Sequence, residues 1–331
     1  MRVLAKERLS EFLLSLRQEY EVFVPAKITD ISKFVSWDGQ MAIELTSNTV
    51  LPPKDIFFPQ TEKMYDFQAK GKSIEITEMP SKEGQMILFG IRSCDVRSII
   101  CLDKVFLTKG FQDEFYQQKR SSTLLMALGC TSPLATCFCE SMGLNPLEAE
   151  GVDVQIYDLG ENWGLKSLTD SGEKLLEQAQ DLLVEANAET TITEPQFLQV
   201  DVTDISTKLA QLFEHSIWEE ISEKCLGCGI CTYLCPTCHC FDISGSVKGE
   251  QGFKFRCWDC CMFSEYTRMA GGHNPRPGKK ERVRNRYLHK LQYFQERYGM
   301  LLCTGCGRCL AHCPVGMDIT AIIDKVKEAD A

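Results

Sequence analysis

Apolar residues recur at helical spacing from Leu4 to Gln18, and an alternating, strand-like run, Tyr20–Val24, follows and meets Pro25. Further short strand-like runs come at Met41–Leu45, Ile56–Phe58, Met86–Ile91, Leu124–Leu128 and Val152–Tyr157. Two of them, MILFGI and LLMAL, are apolar at nearly every position, as central strands covered on both faces are. A helical pattern through SIICLDKVF follows the first and predicts a βα unit. Glu173–Asn187 reads as an exposed helix, the pattern lapses around Thr191–Pro195, and a helix is expected from Asp204 to Lys224. From 225 onward the chain reads as helices and loops with little strand.

At 331 residues the chain is long for one core. The pattern predicts an α/β (α+β) domain over residues 1–200 and a second, α-helical domain over 201–331. No apolar run approaches the roughly 20 residues that span a bilayer, so no membrane contact is expected. The N-terminus mixes charge into its apolar positions and lacks a small-residue cleavage site, which predicts a cytoplasmic protein. A formal charge of −10 argues against a general nucleic-acid binder. Eighteen cysteines point to metal in a reducing compartment and to disulfides in an oxidising one.

The decisive pattern is one spacing used twice: Cys225-x2-Cys228-x2-Cys231-x3-Cys235-Pro236 and Cys303-x2-Cys306-x2-Cys309-x3-Cys313-Pro314. Three thiolates two residues apart curl around a cube of iron and sulfide, and the fourth, ahead of proline, ligates the other cluster in two-cluster ferredoxins. On that geometry Cys225, Cys228, Cys231 and Cys313 hold one [4Fe–4S] cluster, and Cys303, Cys306, Cys309 and Cys235 hold a second. Zinc also takes four thiolates, but on paired knuckles rather than four in a row before proline. The motifs stand about eighty residues apart, farther than in a small ferredoxin, as in α-helical ferredoxins where helices bracket each cluster loop.

Cys94 and Cys130 should sit just past the carboxyl ends of adjacent strands, where α/β sheets place their ligands, with Cys137 and Cys139 a short loop further on. These four thiols suit a [4Fe–4S] cube or a zinc ion, and equally a set of buried small hydrophobes. Cys101, two helical turns beyond Cys94, reads as core. Between the motifs stand Cys238, Cys240, Cys257, Cys260 and Cys261, read as neighbours of the clusters and packing groups, with a fourth metal site left open. Arg276, Lys279, Lys280, Arg282, Arg284, Arg286, Lys290 and Arg297 face only Glu281 and Glu296 in the same stretch. Such a basic run could favour a reduced, anionic cluster or dock an acidic partner; a solvated helix face is the alternative.

The strings CLGCGICTYLCPTCHCFDI, MAGGHNPRPGKKERVRNRYLHK and CTGCGRCLAHCPVGMDI, with ILFGIRSCDVRSIICLDKVFL and CFCESMG upstream, resemble the iron–sulfur electron-transfer component of anaerobic sulfite reductases. The beta subunit of cytoplasmic sulfhydrogenases is similar, and the resemblance covers most of the chain. It implies a third [4Fe–4S] cluster on Cys94, Cys130, Cys137 and Cys139. It also implies a cytoplasmic relay between two partners. One is a flavin- and NAD(P)H-binding subunit of the ferredoxin–NADP reductase type. The other is a catalytic redox subunit, namely a sirohaem sulfite reductase, a nickel–iron hydrogenase or a heterodisulfide-reductase-like complex. The run RCWDCC departs from the sulfite-reductase form, where Cys261 alone is expected.

The expectation is thus an electron-transfer subunit: an α/β domain holding one cluster, then an α-helical ferredoxin-type domain holding two. No G-x-G-x-x-G follows a strand and no G-x-x-x-x-G-K-[ST] occurs, so the sequence gives no sign of a nucleotide site of its own. The rival reading is an enzyme whose N-terminal cluster acts directly on a disulfide, sulfite or polysulfide.

Overall fold

The two continuously apolar runs lie side by side at the centre of a sheet. In the computed structural model, which describes residues 1–80, 84–108, 110–186 and 195–330, the strands are β1 (Arg2–Ala5), β2 (Tyr20–Ile28), β3 (Ile31–Ser36), β4 (Thr61–Lys70), β5 (Ser73–Glu78), β6 (Gln85–Ile91), β7 (Thr123–Leu128), β8 (Val154–Asp158), β9 (Asn162–Ser167), β10 (Val184–Glu185), β11 (Phe241–Lys248) and β12 (Gln251–Trp258). An eight-stranded sheet has the order β10-β1-β9-β8-β7-β6-β2-β3. Its middle pairs, β8–β7, β7–β6 and β6–β2, are parallel, and the flanking pairs are antiparallel.

Side-chain alternation explains why β6 and β7 are apolar throughout. Ile87, Phe89, Met126 and Leu128 face one core with Phe12, Leu13, Leu16 and Leu176. Leu88, Ile91, Leu125 and Ala127 face the other, against Val96, Ile99 and Leu102 of the helix Ser93–Phe106. With apolar layers on both faces, no position can be polar without a buried partner. Gly90 (φ 78°) forms a bulge where the β6–β7 register shifts, and a Cβ there would meet Leu45 at 2.8 Å. The bulge turns the chain just before Cys94, as bulges beside functional sites do.

Several local expectations are corrected. β2 runs through Pro25 to Ile28. Its pairing with β6 ends at Phe23, so the missing Pro25 N–H faces no ladder partner there. Met41–Leu45 is not a strand: the Glu44 N–H donates to Pro25 O, and no ladder forms. Residues Lys54–Phe57 form one helical turn, started by Pro53, whose fixed φ suits a helix beginning. The helix expected at 173–187 spans Asp170–Gln178, capped by Thr169 Oγ1 and buried on one side through Leu175 and Leu176. Asn187 lies outside the described residues, as do 191–194 of the expected lapse. The helix expected at 204–224 is two helices, Ile205–Gln211 and Ile217–Glu223. The break is stabilised by Trp218 Nε1 donating to Leu212 O at 2.7 Å and by Ile217 N donating to His215 Nδ1 at 3.1 Å.

The larger correction concerns the α-helical ferredoxin-type region. Its helices, including Lys279–Leu288 and Ile319–Glu328, do pack around Trp218 and Leu288. Between the motifs, however, β11 and β12 form a hairpin of two eight-residue strands, closed by Gly249 at φ 64°. That hairpin pairs β12 with β4, giving a second, antiparallel sheet of order β11-β12-β4-β5. Arg256 of β12 is buried between Glu62 (Nε to Oε2 2.8 Å) and Asp113 (Nη1 to Oδ2 2.6 Å). Residues far apart in sequence thus share one sheet and one ion network. No described helix is long and apolar enough to cross a membrane.

Candidate metal centres

Cys225, Cys228 and Cys231 lie on a loop that runs into the one-turn helix Ile230–Tyr233. Gly227 (φ 69°) and Gly229 (φ 82°) let the loop curl, and at Gly229 a Cβ would also meet Cys260 Sγ at 3.0 Å. Together with Cys313 these thiols line a recess of about 550 Å³, walled by Leu226, Ile230, Met262, Val283 and Tyr287. The second motif repeats the design. Gly305 (φ 63°) and Gly307 (φ 70°) shape the loop ahead of the turn Arg308–Ala311. Cys303, Cys306 and Cys309 then line a recess of about 320 Å³ with Cys235, Pro236 and Lys290. Each recess therefore draws three thiols from one motif and the pre-proline thiol from the other. Cys309 borders both.

The upstream cysteines also come together. Cys94 opens the helix after β6, and Cys130 follows β7, the parallel neighbour of β6. Cys137 and Cys139 arrive on the loop whose Phe138 N–H donates to Gly305 O at 2.8 Å. The four line a third recess of about 350 Å³, which Gly305 and Cys306 also border. Asn48 Nδ2 donates to Cys94 Sγ at 3.3 Å. Burial raises all four thiols. Cys94 lies well above the ordinary range, Cys137 is pushed up to about 11, and Cys139 to about 12. Ligation of metal here must therefore displace protons.

Among the described residues no three of these side chains converge on a single ion. Four thiolates on zinc at 2.3 Å crowd to about 3.8 Å from each other. The observed thiols stand around recesses instead, as ligands at the corners of a larger cube must. Thr304 Oγ1, on the wall of the second recess, is buried without a hydrogen-bond partner among the described residues, a donor left over for sulfide. The donor set and the surplus donor suit iron–sulfur groups.

The other cysteines lie elsewhere. Cys101 is core, packed near Phe294 and Leu302 with its Sγ 4.0 Å from Met300 Sδ, and burial pushes it up to about 12. Cys257 is in β12 opposite Asp242 and Thr61. Cys261 Sγ lies 3.8 Å from Thr232 Oγ1, and Cys238 Sγ lies 3.7 Å from Arg286 Nη1. None of Cys238, Cys240, Cys257, Cys260 or Cys261 lines the three recesses.

The basic stretch is divided by the fold. Lys279, Arg282 and Arg284 donate to backbone carbonyls of Glu223, Pro277 and Phe213. Arg286 and Lys290 turn inward and are buried beside the thiols, with Lys290 Nζ 3.0 Å from Cys235 Sγ. The buried Lys54, Asn48 and the buried ion pair of Arg308 with Asp95 carried no sequence signal.

Residues 224–317 match the family model of a 4Fe-4S dicluster domain. Sulfhydrogenase 2 subunit beta of Pyrococcus furiosus is 30% identical to the chain over 337 residues, covering 98% of each. No solved structure matches the chain.

Proposed function

The chain belongs to the family of the sulfhydrogenase beta subunit, and on that premise we propose that it is the iron–sulfur subunit of an oxidoreductase complex. In this reading it relays single electrons between a flavin partner that oxidises NAD(P)H and a catalytic partner of hydrogenase, sulfite-reductase or heterodisulfide-reductase type. Its proposed ligands are Cys225, Cys228, Cys231 and Cys313 for the first site and Cys303, Cys306, Cys309 and Cys235 for the second. Cys94, Cys130, Cys137 and Cys139 form the third. One-electron reduction and reoxidation is the chemistry that [4Fe–4S] groups supply when bound there.

The observation that carries the reading is the shared wall between sites: Cys309 borders the first and second recesses, and Cys306 the second and third. The three therefore run in series, with the second in the middle. The chain's own work is to hold this spacing and exclude water. Gly305 and Gly307 let the second loop approach closely, since a Cβ at either would meet Phe138 O or Thr136 O at 2.5 Å. Arg308 bolts that loop to Asp95, next to Cys94. A four-thiol site leaves no ligand position open, so no substrate need touch metal. Iron and acid-labile sulfide per chain test the reading on protein purified without oxygen. Roughly twelve of each support three sites, and roughly eight remove the third.

A further inference from the structure

Three cations are buried near the cysteine loops: Lys290 lines the second recess, Arg286 lines the first, and Lys54 reaches the backbone at Cys238. Lys290 is 3% exposed, Arg286 4% and Lys54 2%. Lys290 Nζ donates to Cys235 Sγ and to Thr237 Oγ1, each at 3.0 Å, and that hydroxyl lies 3.2 Å from the same sulfur. Arg286 donates to Cys231 O at 2.7 Å. Lys54 donates to Cys238 O at 3.0 Å and sits 3.9 Å over the Trp258 ring. None of the three forms an ion pair with a described carboxylate. A buried ammonium needs an anion; no described carboxylate pairs with Lys290, and the sulfur it donates to is that of Cys235, with the Cys238 and Cys303 thiols also near.

Buried cations without a described carboxylate partner also line the first recess (Arg286) and the third (Arg92), but neither donates to a proposed ligand sulfur. At the third recess the buried cation Arg308 is neutralised by Asp95, Arg92 donates to carbonyls of Gly129 and Leu45, and the donor to Cys94 Sγ is the neutral Asn48. Along the first, Arg286 meets a backbone carbonyl rather than a ligand sulfur. Among the described residues, Lys290 alone brings a charged donor to a proposed ligand sulfur. Its place is built by the π-helical turn His289–Tyr293, inserted between the helices Lys279–Leu288 and Phe294–Tyr298. Such turns recur at functional sites because they shift one residue out of helical register.

We propose that Lys290 sets the order of reduction potentials along the relay by holding the middle site, Cys235, Cys303, Cys306 and Cys309, above its two neighbours. The inference rests on reading the twelve cysteines as three [4Fe–4S] sites. Reduction adds one negative charge to a thiolate-ligated site. A fixed cation against one ligand sulfur, shielded from water, stabilises the more negative state preferentially. The middle site then fills first, and every electron leaves it uphill, whichever end it travels to. Lys290 acts through Cys235 and is a positioning residue.

The test is a redox titration followed by electron paramagnetic resonance on the full-length, anaerobically purified chain, with iron counted on the same samples. In Lys290→Met, one of three one-electron steps should become at least tenfold less reduced at fixed ambient potential, a fall of at least about 59 mV. The other two should change less than threefold. Lys290→Arg should keep the step in place, and Thr237→Val should move it in the same direction by less. An unmoved step in Lys290→Met with full iron, or three steps moving together, overturns the proposal. If Lys290→Met loses iron, Thr237→Val decides: a moved step supports the role, and an unmoved one overturns it. Fewer than about twelve irons in the unsubstituted chain sinks the three-site reading and this inference with it. Full iron with an unmoved step sinks the inference alone.

Discussion

Arg308 and Asp95 form a two-pronged ion pair, Nη1 to Oδ1 at 2.6 Å and Nη2 to Oδ2 at 2.8 Å, with both side chains buried. Arg308 stands between Cys306 and Cys309, and Asp95 follows Cys94, so the pair joins the loops of two cysteine sets. Its remaining donors are used on Thr49 O and Asn48 Oδ1. A paired, fully bonded guanidinium is tolerated in the interior, whereas an abandoned carboxylate is not. Arg308→Met should therefore cost about 3 to 5 kcal/mol of unfolding free energy. Denaturant titration of the anaerobic protein checks this, and an unchanged midpoint would contradict the role.

The thiols separate relay from catalysis. Cys94→Ser, Cys137→Ser and Cys139→Ser should each lower iron from roughly twelve to roughly eight per chain. Cys101→Ala should leave the count unchanged, because that thiol packs against Phe294 and Leu302 and lines none of the three recesses. Cys130 is the least buried of the four and discriminates best. If Cys130→Ser loses iron with its three neighbours, the set is a relay site. If iron stays while turnover of a sulfur substrate disappears, the N-terminal site is catalytic and the relay reading fails.

The cysteine sets were legible because their signals are local. Ligand spacing, the proline after each fourth cysteine, and two apolar runs that must be central strands need no knowledge of the rest of the chain. The second sheet was not legible, since its central pairing sets Cys257 opposite Thr61, residues separated by most of the α/β region. The strands β4 and β12 are only partly buried, which blurs their alternation. Their tight turns did leave a trace: Gly71 and Gly249, at φ 59° and 64°, each close a two-residue hairpin loop flanked by lysine. Lys290 and Arg286 were hidden for a different reason. In a basic run a solvated face and an inward-facing cation look alike, and only the packing of that helix against the thiols tells them apart.

Gly305 gives a sharper probe of the contact between the second and third sites. Its φ of 63° is disfavoured for any side chain, and a Cβ would stand 2.5 Å from Phe138 O and 2.6 Å from Cys139 Cα. Backbone cannot yield as a flexible side chain does. Gly305→Ala should cost at least about 1 to 3 kcal/mol from conformation alone and should break the hydrogen bond from Phe138 N to Gly305 O. Spectra of both neighbouring sites should change together, while the first site stays unperturbed. Gly316→Ala is the control, because it shares the positive φ (64°) but has nothing near its Cβ. Equal spectral effects from the two substitutions would assign the result to backbone strain and not to the contact.

Two buried imidazoles contribute acid sensitivity to the fold. His239 and His289 stack edge to face with ring centroids 5.4 Å apart. Burial holds both below the ordinary histidine range, and for His289, held at about 3, the neighbouring His239 and Lys290 add to the effect. Both are neutral in the fold and take up protons near pH 6.5 when unfolded. The unfolded state thus binds more protons between about pH 6.5 and pH 3, so stability is full above that window and falls as pH drops through it. The slope is up to about 1.4 kcal/mol per pH unit for each imidazole. His289→Phe keeps the aromatic volume and removes the titration. Unfolding followed from pH 7.5 to pH 5 should show a shallower loss in His289→Phe than in the unsubstituted chain, at equal iron content. Parallel curves would mean that His289 is not held neutral in the fold.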